Sequence, residues 1–279
     1  MKKATLLLAV VAMLTGVAGA SVVFYEPFDY PVGELNGQGG DELGFAAGST
    51  YGNKNEIGRV VEGSLSYDGI TFEGGTPFTP VGNREENGYH RYGDLTRSVN
   101  DTVADLMDFG KDRTFYVSML VERHAWGPQN RWVFGTEGGS FFGIGLFSDL
   151  WLYMPKDSGF PSYTKICSSP AYNQPYFIVI KVETSATGDD IGYVAVYTTG
   201  DTVPADEPTT WTKTLTTNCS KAVINFLLHV DRNDLPANLG AGDEIRVGES
   251  WQDVTVVPEP ATLVLLGLGG CLALLRRKK

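Results

Sequence analysis

Phe115-Tyr116-Val117-Ser118-Met119-Leu120-Val121-Glu122 alternates with a period of two, so that Phe115, Val117, Met119 and Val121 share one face. Successive side chains of a β-strand point to opposite sides of its sheet, and this pattern therefore predicts a strand with one buried face. Residues 176–183 repeat it, with Ile178, Ile180 and Val182 on one side and Lys181 and Glu183 on the other. Residues 222–230 place Ile224, Phe226, Leu228 and Val230 together and turn Asn225 and His229 away; Asp243-Glu244-Ile245-Arg246-Val247 alternates again. Further strands are expected at 22–25, 59–67, 131–134, 141–147, 150–154 and 191–198. Turn-rich stretches at 37–40, 74–82, 135–139, 155–161, 200–208 and 231–242 separate them. Residues 101–109 alone read as a short helix, with Val103, Leu106 and Met107 on one side. Many short strands with almost no helix predict an all-β, antiparallel, two-sheet sandwich, and the long connections favour a jelly roll.

The chain has 279 residues, 42% hydrophobic and 20% charged, which suits one sizeable core and neither a disordered chain nor a multispanning membrane protein. Residues 21–257 hold 32 acidic against 16 basic side chains, a net charge of −16. Phosphate backbones bind basic surfaces, so nucleic acid is excluded as a partner.

The ends read as addresses. Lys2 and Lys3, a short apolar stretch and Ala18-Gly19-Ala20 make residues 1–20 a secretory signal helix, with a mature chain expected from Ser21. At the other end Val257-Pro258-Glu259-Pro260-Ala261-Thr262 precedes an apolar run over 263–275 and then Arg276-Arg277-Lys278-Lys279. At 1.5 Å per residue, 261–275 spans roughly 22 Å as a helix, against a hydrocarbon core of about 30 Å. It is thus expected to be a short transmembrane helix whose basic end stays cytoplasmic. Three parts are expected: the signal at 1–20, the body at 21–256 and the tail at 257–279.

This tail resembles the PEP-CTERM sorting signal of bacterial exported proteins. The resemblance implies processing by signal peptidase and then by an exosortase, a membrane cysteine transpeptidase that reads Pro258, Glu259, Pro260, Arg276 and Arg277. It also implies a transient inner-membrane anchor, followed by release to the envelope, outer surface or extracellular matrix, and a link to exopolysaccharide. The opening Phe24-Tyr25-Glu26-Pro27-Phe28-Asp29-Tyr30-Pro31-Val32-Gly33-Glu34-Leu35 is similar to the start of many such surface proteins. The close, from Gly242 to Gly248 with Trp251, Asp253 and Val254, is similar to their end. Their bodies are concanavalin A-like (laminin G-like) jelly rolls. A Gly-Trp usual near residues 44–50 is here Gly44-Phe45.

Export changes what the cysteines mean. Cys271 lies in the apolar tail, so Cys167 and Cys219 are expected to form a disulfide, with two free thiols as the alternative. Catalytic motifs are missing. A retaining glycosidase needs two carboxylates about 5 Å apart, and alternate strand residues would supply them. Glu26 and Asp29, or the adjacent Asp243 and Glu244, would face opposite ways, and Glu85-Glu86 and Asp189-Asp190 read as solvated loops. No Gly-x-Ser-x-Gly or His-Glu-x-x-His occurs, and His90, His124 and His229 lie far apart. No cofactor is expected. Calcium stays open as an alternative to an Asx-rich turn, with Asp231, Asn233, Asp234 and Asp243 as its oxygens.

Two aromatic segments sit among polar groups: 88–93, with Tyr89, His90, Arg91 and Tyr92, and 124–132, with Trp126, Gln129 and Asn130. Such residues could stack on and hydrogen-bond a surface glycan; loop aromatics folded back onto the sandwich are the alternative. The reading is an exported, non-enzymatic structural or interaction protein. A lectin-like carbohydrate-binding module is the alternative, and the missing carboxylate pattern opposes a divergent glycoside hydrolase.

Overall fold

The computed structural model describes residues 21–52, 58–73, 76–87, 93–125, 130–230 and 240–256; the expected signal at 1–20 and the tail at 257–279 lie outside them. In chain order the elements are β1 (Val22–Glu26), β2 (Gly33–Glu34), β3 (Gly58–Val61), β4 (Thr71–Phe72), β5 (Arg84–Asn87), β6 (Gly93–Ser98) and α1 (Asp101–Leu106). Then come β7 (Arg113–Arg123), β8 (Asn130–Thr136), β9 (Phe141–Leu146), β10 (Asp149–Lys156), β11 (Gly159–Ser168) and β12 (Pro175–Thr184). The chain continues with β13 (Asp190–Tyr197), β14 (Thr202–Val203), β15 (Lys213–Thr217), β16 (Val223–Val230), β17 (Gly240–Gly248) and α2 (Trp251–Thr255).

The strands form an antiparallel two-sheet sandwich. A nine-stranded sheet runs β15-β13-β12-β7-β17-β5-β3-β2, with β1 also on β17, and a six-stranded sheet runs β11-β10-β9-β8-β16-β6. A small parallel pair, β4 with β14, stands apart. The main core fills the space between the sheets: Phe115, Val117, Met119 and Val121 from β7 meet Phe134, Phe142, Leu152 and Phe226. Each such side chain contributes about 1.5–3 kcal/mol by leaving water. The two similarity-bearing ends meet here, since β1 pairs with β17 through Tyr25↔Arg246 and Glu26↔Ile245. Gly44, at φ +91°, lets the chain pass Phe24: a Cβ there would lie 2.7 Å from the Phe24 Cα. Phe45 fills the adjoining space, 4.7 Å from the Phe24 ring.

The nine-stranded sheet is buried on both faces. Leu65, Tyr67 and Ile70, from the excursion between β3 and β5, pack with Trp251 and Val254 of α2 onto Tyr116, Leu120, Phe177 and Val179. Asp253 secures this side. It closes the capping box of α2 with Ser250 and also accepts a hydrogen bond from the Ser21 backbone nitrogen at 2.7 Å.

Several expectations fail for identifiable reasons. Ile224 is 42% exposed, because a bulge between Val223 and Asn225 shifts the register of β16 against β8. Glu85 is no loop residue: it lies in β5 and is fully buried. Asp190 begins β13, buried, accepting from the Ser185 and Cys219 nitrogens, and burial pushes its carboxyl up to about 6. Asp243 and Glu244 do not face opposite ways. A bulge in the β17–β7 pairing, with Glu244 at φ 55°, leaves both carboxylates hydrogen-bonded to the covering excursion.

Cys167 and Cys219 are free thiols, contrary to the expected disulfide. Ser220, next to Cys219, bonds Asp157 in the β10–β11 turn, whereas Cys167 lies opposite Leu150 at the far end of β11. The eight steps from Gly159 to Cys167 span about 26 Å as a strand, and a disulfide needs Cα atoms within about 7 Å. Burial raises both thiols, Cys219 to about 11. Both should therefore take up alkylating reagent on unfolding without prior reduction, as read by intact mass; a mass showing neither labelled would restore the bridge.

Candidate functional site

Strand register gathers one end of the sandwich. Gly93 pairs with Val230, Val230 with Asn130, Asn87 with Gly240 and Gly240 with Arg123. These residues flank the segments 88–92, 126–129 and 231–239. Tyr89, His90, Tyr92, Trp126, Asp231, Asn233 and Asp234 lie outside the described residues, but the chain positions that lead into them converge.

Of the sugar-binding candidates Asn130 is described, and it is 1% exposed. Neither its Nδ2 nor its Oδ1 has a hydrogen-bond partner, and the same holds for Glu85 Oε1. Trp132 packs against Gly242, where a Cβ would stand 2.2 Å from its Nε1, and that nitrogen donates to Glu85 Oε2 at 2.8 Å. Burial raises the Glu85 carboxyl well above its ordinary range, against the pull of the Trp132 donor.

Outside, Glu86 and Glu122 sit in one row of the nine-stranded sheet, each paired with Ala241 between them. Two strand spacings, about 9.6 Å, separate their backbones. Glu122 Oε1 lies 2.8 Å from His124 Nε2, Glu86 Oε1 lies 4.0 Å from His124 Nδ1, and Glu86 also takes Arg84 at 2.7 Å. On the six-stranded sheet, His229 Nδ1 lies 2.5 Å from Asp94 Oδ1; the ring is 7% exposed rather than open to solvent. No grouping of three His, Cys, Asp or Glu among the described residues is arranged to hold a metal. Asp243 leaves the calcium set, because it is buried with Oδ2 accepting from the Leu65 nitrogen and Oδ1 from that of Glu244, each at 2.8 Å.

At the opposite end a groove of about 750 Å³ is lined by Val23, α1 and Glu249. Its Asp105 already bonds Lys111 and Arg113.

The sequence reading also passed over the outer face of the six-stranded sheet. There Phe141, Trp151, Tyr153, Phe160 and Tyr163 form a connected ring cluster, with Phe141–Tyr153 centroids 5.2 Å apart and Trp151–Tyr163 5.6 Å. The signal was present in Leu150-Trp151-Leu152-Tyr153-Met154, where Leu, Leu and Met take the core face and both aromatics take the other.

Residues 256–279 match the family model for the PEP-CTERM protein-sorting motif. The tail is a PEP-CTERM sorting signal. That signal implies an exported, envelope-associated protein, and processing by an exosortase follows from the same motif. No helix among the described residues is long and apolar enough to cross a membrane. No curated protein matches the sequence. Similar solved structures include an endo-β-1,4-glucuronan lyase from the fungus Trichoderma reesei, at 10% identity over 84% of this chain and 98% of that one, with a TM-score of 0.44. The binding domain of botulinum neurotoxin DC, solved in complex with rat synaptotagmin II, is similar at 14% identity over 81% of this chain and 50% of that one, with a TM-score of 0.42. The chain spans about half the length of the neurotoxin structures it matches. Likenesses at this level say nothing about the site.

Proposed function

We propose that this protein is an exported envelope component whose body is a non-enzymatic structural or interaction module. In this reading signal peptidase removes residues 1–20, the tail holds the body transiently at the inner membrane, and an exosortase then releases it to the outer surface or matrix. The observation that carries the reading is the PEP-CTERM motif at 256–279. The placement of the protonatable carboxyls supports a non-enzymatic body. Among the described residues those whose pKa is pushed up, on Glu26, Glu85, Asp190 and Asp243, are all fully buried, where no substrate reaches them. A general acid has to touch what it protonates.

Fractionation of cells that express the full chain tests the route. The body should leave the inner membrane as a species beginning at Ser21 and lacking Arg276 and Arg277, and Glu259→Ala should hold it in the membrane fraction. Release of the Glu259→Ala chain at the wild-type rate would overturn the exosortase step.

A second reading, carbohydrate recognition at the loop end, is favoured by the pairing of the strand ends that lead into both aromatic segments, Gly93 with Val230 and Val230 with Asn130. Tyr89, His90, Tyr92, Trp126 and Asn130 would then bind a surface glycan. Trp126→Ala should weaken that binding by about 1–3 kcal/mol, the scale of one lost stacking partner, with the melting temperature unchanged; a large melting loss would make Trp126 a packing residue.

A further inference from the structure

We infer that the outer face of the six-stranded sheet is a binding platform for a neutral polysaccharide chain. This deepens the reading of the body as an interaction module by naming a partner class, and it uses residues other than those at the loop end.

Tyr153 is the hub of the platform, 4% exposed, with Phe141 at 5.2 Å and Tyr163 at 5.9 Å. Trp151 and Phe160 extend the cluster, 5.6 and 6.2 Å from the Tyr163 ring. The rim is open: Phe160 is 61% exposed and Tyr163 55%. The rings stand on hydrogen-bonded strands, because Trp151 pairs with Lys165 and Tyr153 with Tyr163 across β10 and β11. On the other side Trp151 pairs with Gly145 and Tyr153 with Gly143, so neither faces a side chain directly across on β9, whose first residue Phe141 packs against Tyr153 from the strand end. Two cations lie over ring faces of the cluster. Lys165 Nζ lies 5.6 Å from the Trp151 ring centre, and the Arg131 guanidinium 5.1 Å from Phe141.

Area and charge choose the occupant. An aromatic side chain offers about 150–250 Å² when fully buried, so Phe160 and Tyr163 at these exposures, with Trp151 and Phe141 partly covered, present roughly 300 Å². A stable copy-to-copy interface needs about 800 Å² per partner, which this face does not supply. A few hundred square ångströms of rigid aromatic surface is the scale of a short run of sugar rings. Apolar ring faces stack there while Lys165 and the Tyr163 hydroxyl meet the equatorial hydroxyls. On this side Lys165 is paired with Asp149 at 2.9 Å, a neutral couple in an otherwise acidic body. A balanced face neither attracts nor repels an uncharged chain, whereas the surrounding acidic surface opposes an anionic one.

The test is affinity electrophoresis of the full chain in detergent, through gels holding a soluble β-glucan, a galactomannan or polygalacturonate. The wild type should be retarded by at least one of the two neutral polymers and not by polygalacturonate. Tyr163→Ala should weaken that retardation about tenfold, in line with one lost stacking partner, and Trp151→Ala should do the same. Tyr163 is more than half exposed, so its variant remains informative should Trp151→Ala fail to fold. Three results would overturn the platform: no retardation by either neutral polymer, retardation that survives both substitutions, or retardation lost only in Trp126→Ala, which would assign the sugar to the loop end. None of these touches the export reading, which stands or falls on the fractionation of cells.

Discussion

Glu244→Ala is expected to destabilise the body by about 3–5 kcal/mol, the cost of stripping one partner from a buried ion pair. Glu244 is 0% exposed and Arg246 3%, and their side chains bond directly. The carboxylate also accepts from the Tyr25 hydroxyl at 3.0 Å and the Val81 nitrogen at 3.1 Å. Arg246 is walled in by aromatic rings, 3.7 Å from the Phe78 centre and 4.5 Å from that of Tyr25. Without Glu244 the guanidinium stays desolvated with only the Tyr67 hydroxyl and the Glu244 carbonyl for partners, at 3.5 and 3.4 Å. The excursion that covers the nine-stranded sheet would also lose its anchor at Val81. Thermal unfolding should show a fall on the order of 10 °C. Combining Glu244→Gln with Arg246→Met, which leaves no buried charge, should recover most of it. A loss below about 1 kcal/mol in the single variant would mean that water reaches the pair, as at a surface ion pair.

The same residues show where the sequence was legible and where it was not. β7 and β12 were readable because one of their faces meets the main core in strict alternation, and α1 because Val103, Leu106 and Met107 are all buried as its spacing demands. Asp243, Glu244 and Arg246 misled because charged residues alternating with Ile245 and Val247 imitate a strand with a wet face. That face is covered by the excursion between β3 and β5, a contact about 180 residues away in sequence that no local pattern encodes. Bulges had a similar effect: one residue of slip turns Ile224 outward and brings Asp243 and Glu244 to the same segment. β5, β6 and β15 carry too few apolar residues to show a period, and the hydrogen-bond ladder rather than side-chain burial makes them strands. The aromatic platform was half visible, since β10 is apolar on both faces, but which face met the core depended on β9 supplying only glycines opposite Trp151 and Tyr153.

Stability should fall as pH rises from about 5 to 8, the reverse of ordinary acid unfolding, and Glu26 contributes to this beside the buried Glu85, Asp190 and Asp243. The Glu26 carboxyl is fully buried, and burial pushes it up from 4.5 to about 7 despite donors that favour the charged form: the Tyr51 and Tyr30 hydroxyls at 2.7 and 2.9 Å, the Phe28 nitrogen at 2.8 Å, and Arg97 at 3.8 Å. Because the folded value is the higher one, the folded chain holds a proton that the unfolded chain releases. The stabilisation is complete below pH 4.5 and is lost as pH rises through about 7. At about 1.4 kcal/mol per pH unit the change between pH 5 and 8 comes to roughly 2–3 kcal/mol. Asp190, raised to about 6, adds in the same direction over the lower part of that window. The lowered carboxylates Asp105, Asp149, Asp157 and Glu183 act with the opposite sign, but their stabilisation is constant across this window and is lost only as pH falls below their ordinary values near 4. Urea midpoints at pH 5 and 8 measure the slope. Glu26→Gln, which fixes a neutral group of the same shape among the same donors, should reduce the slope by the share due to Glu26 and leave that of Glu85, Asp190 and Asp243. A wild type more stable at pH 8 than at pH 5, or a slope unchanged in Glu26→Gln, would show that Arg97 and the two tyrosines hold Glu26 charged in the folded state.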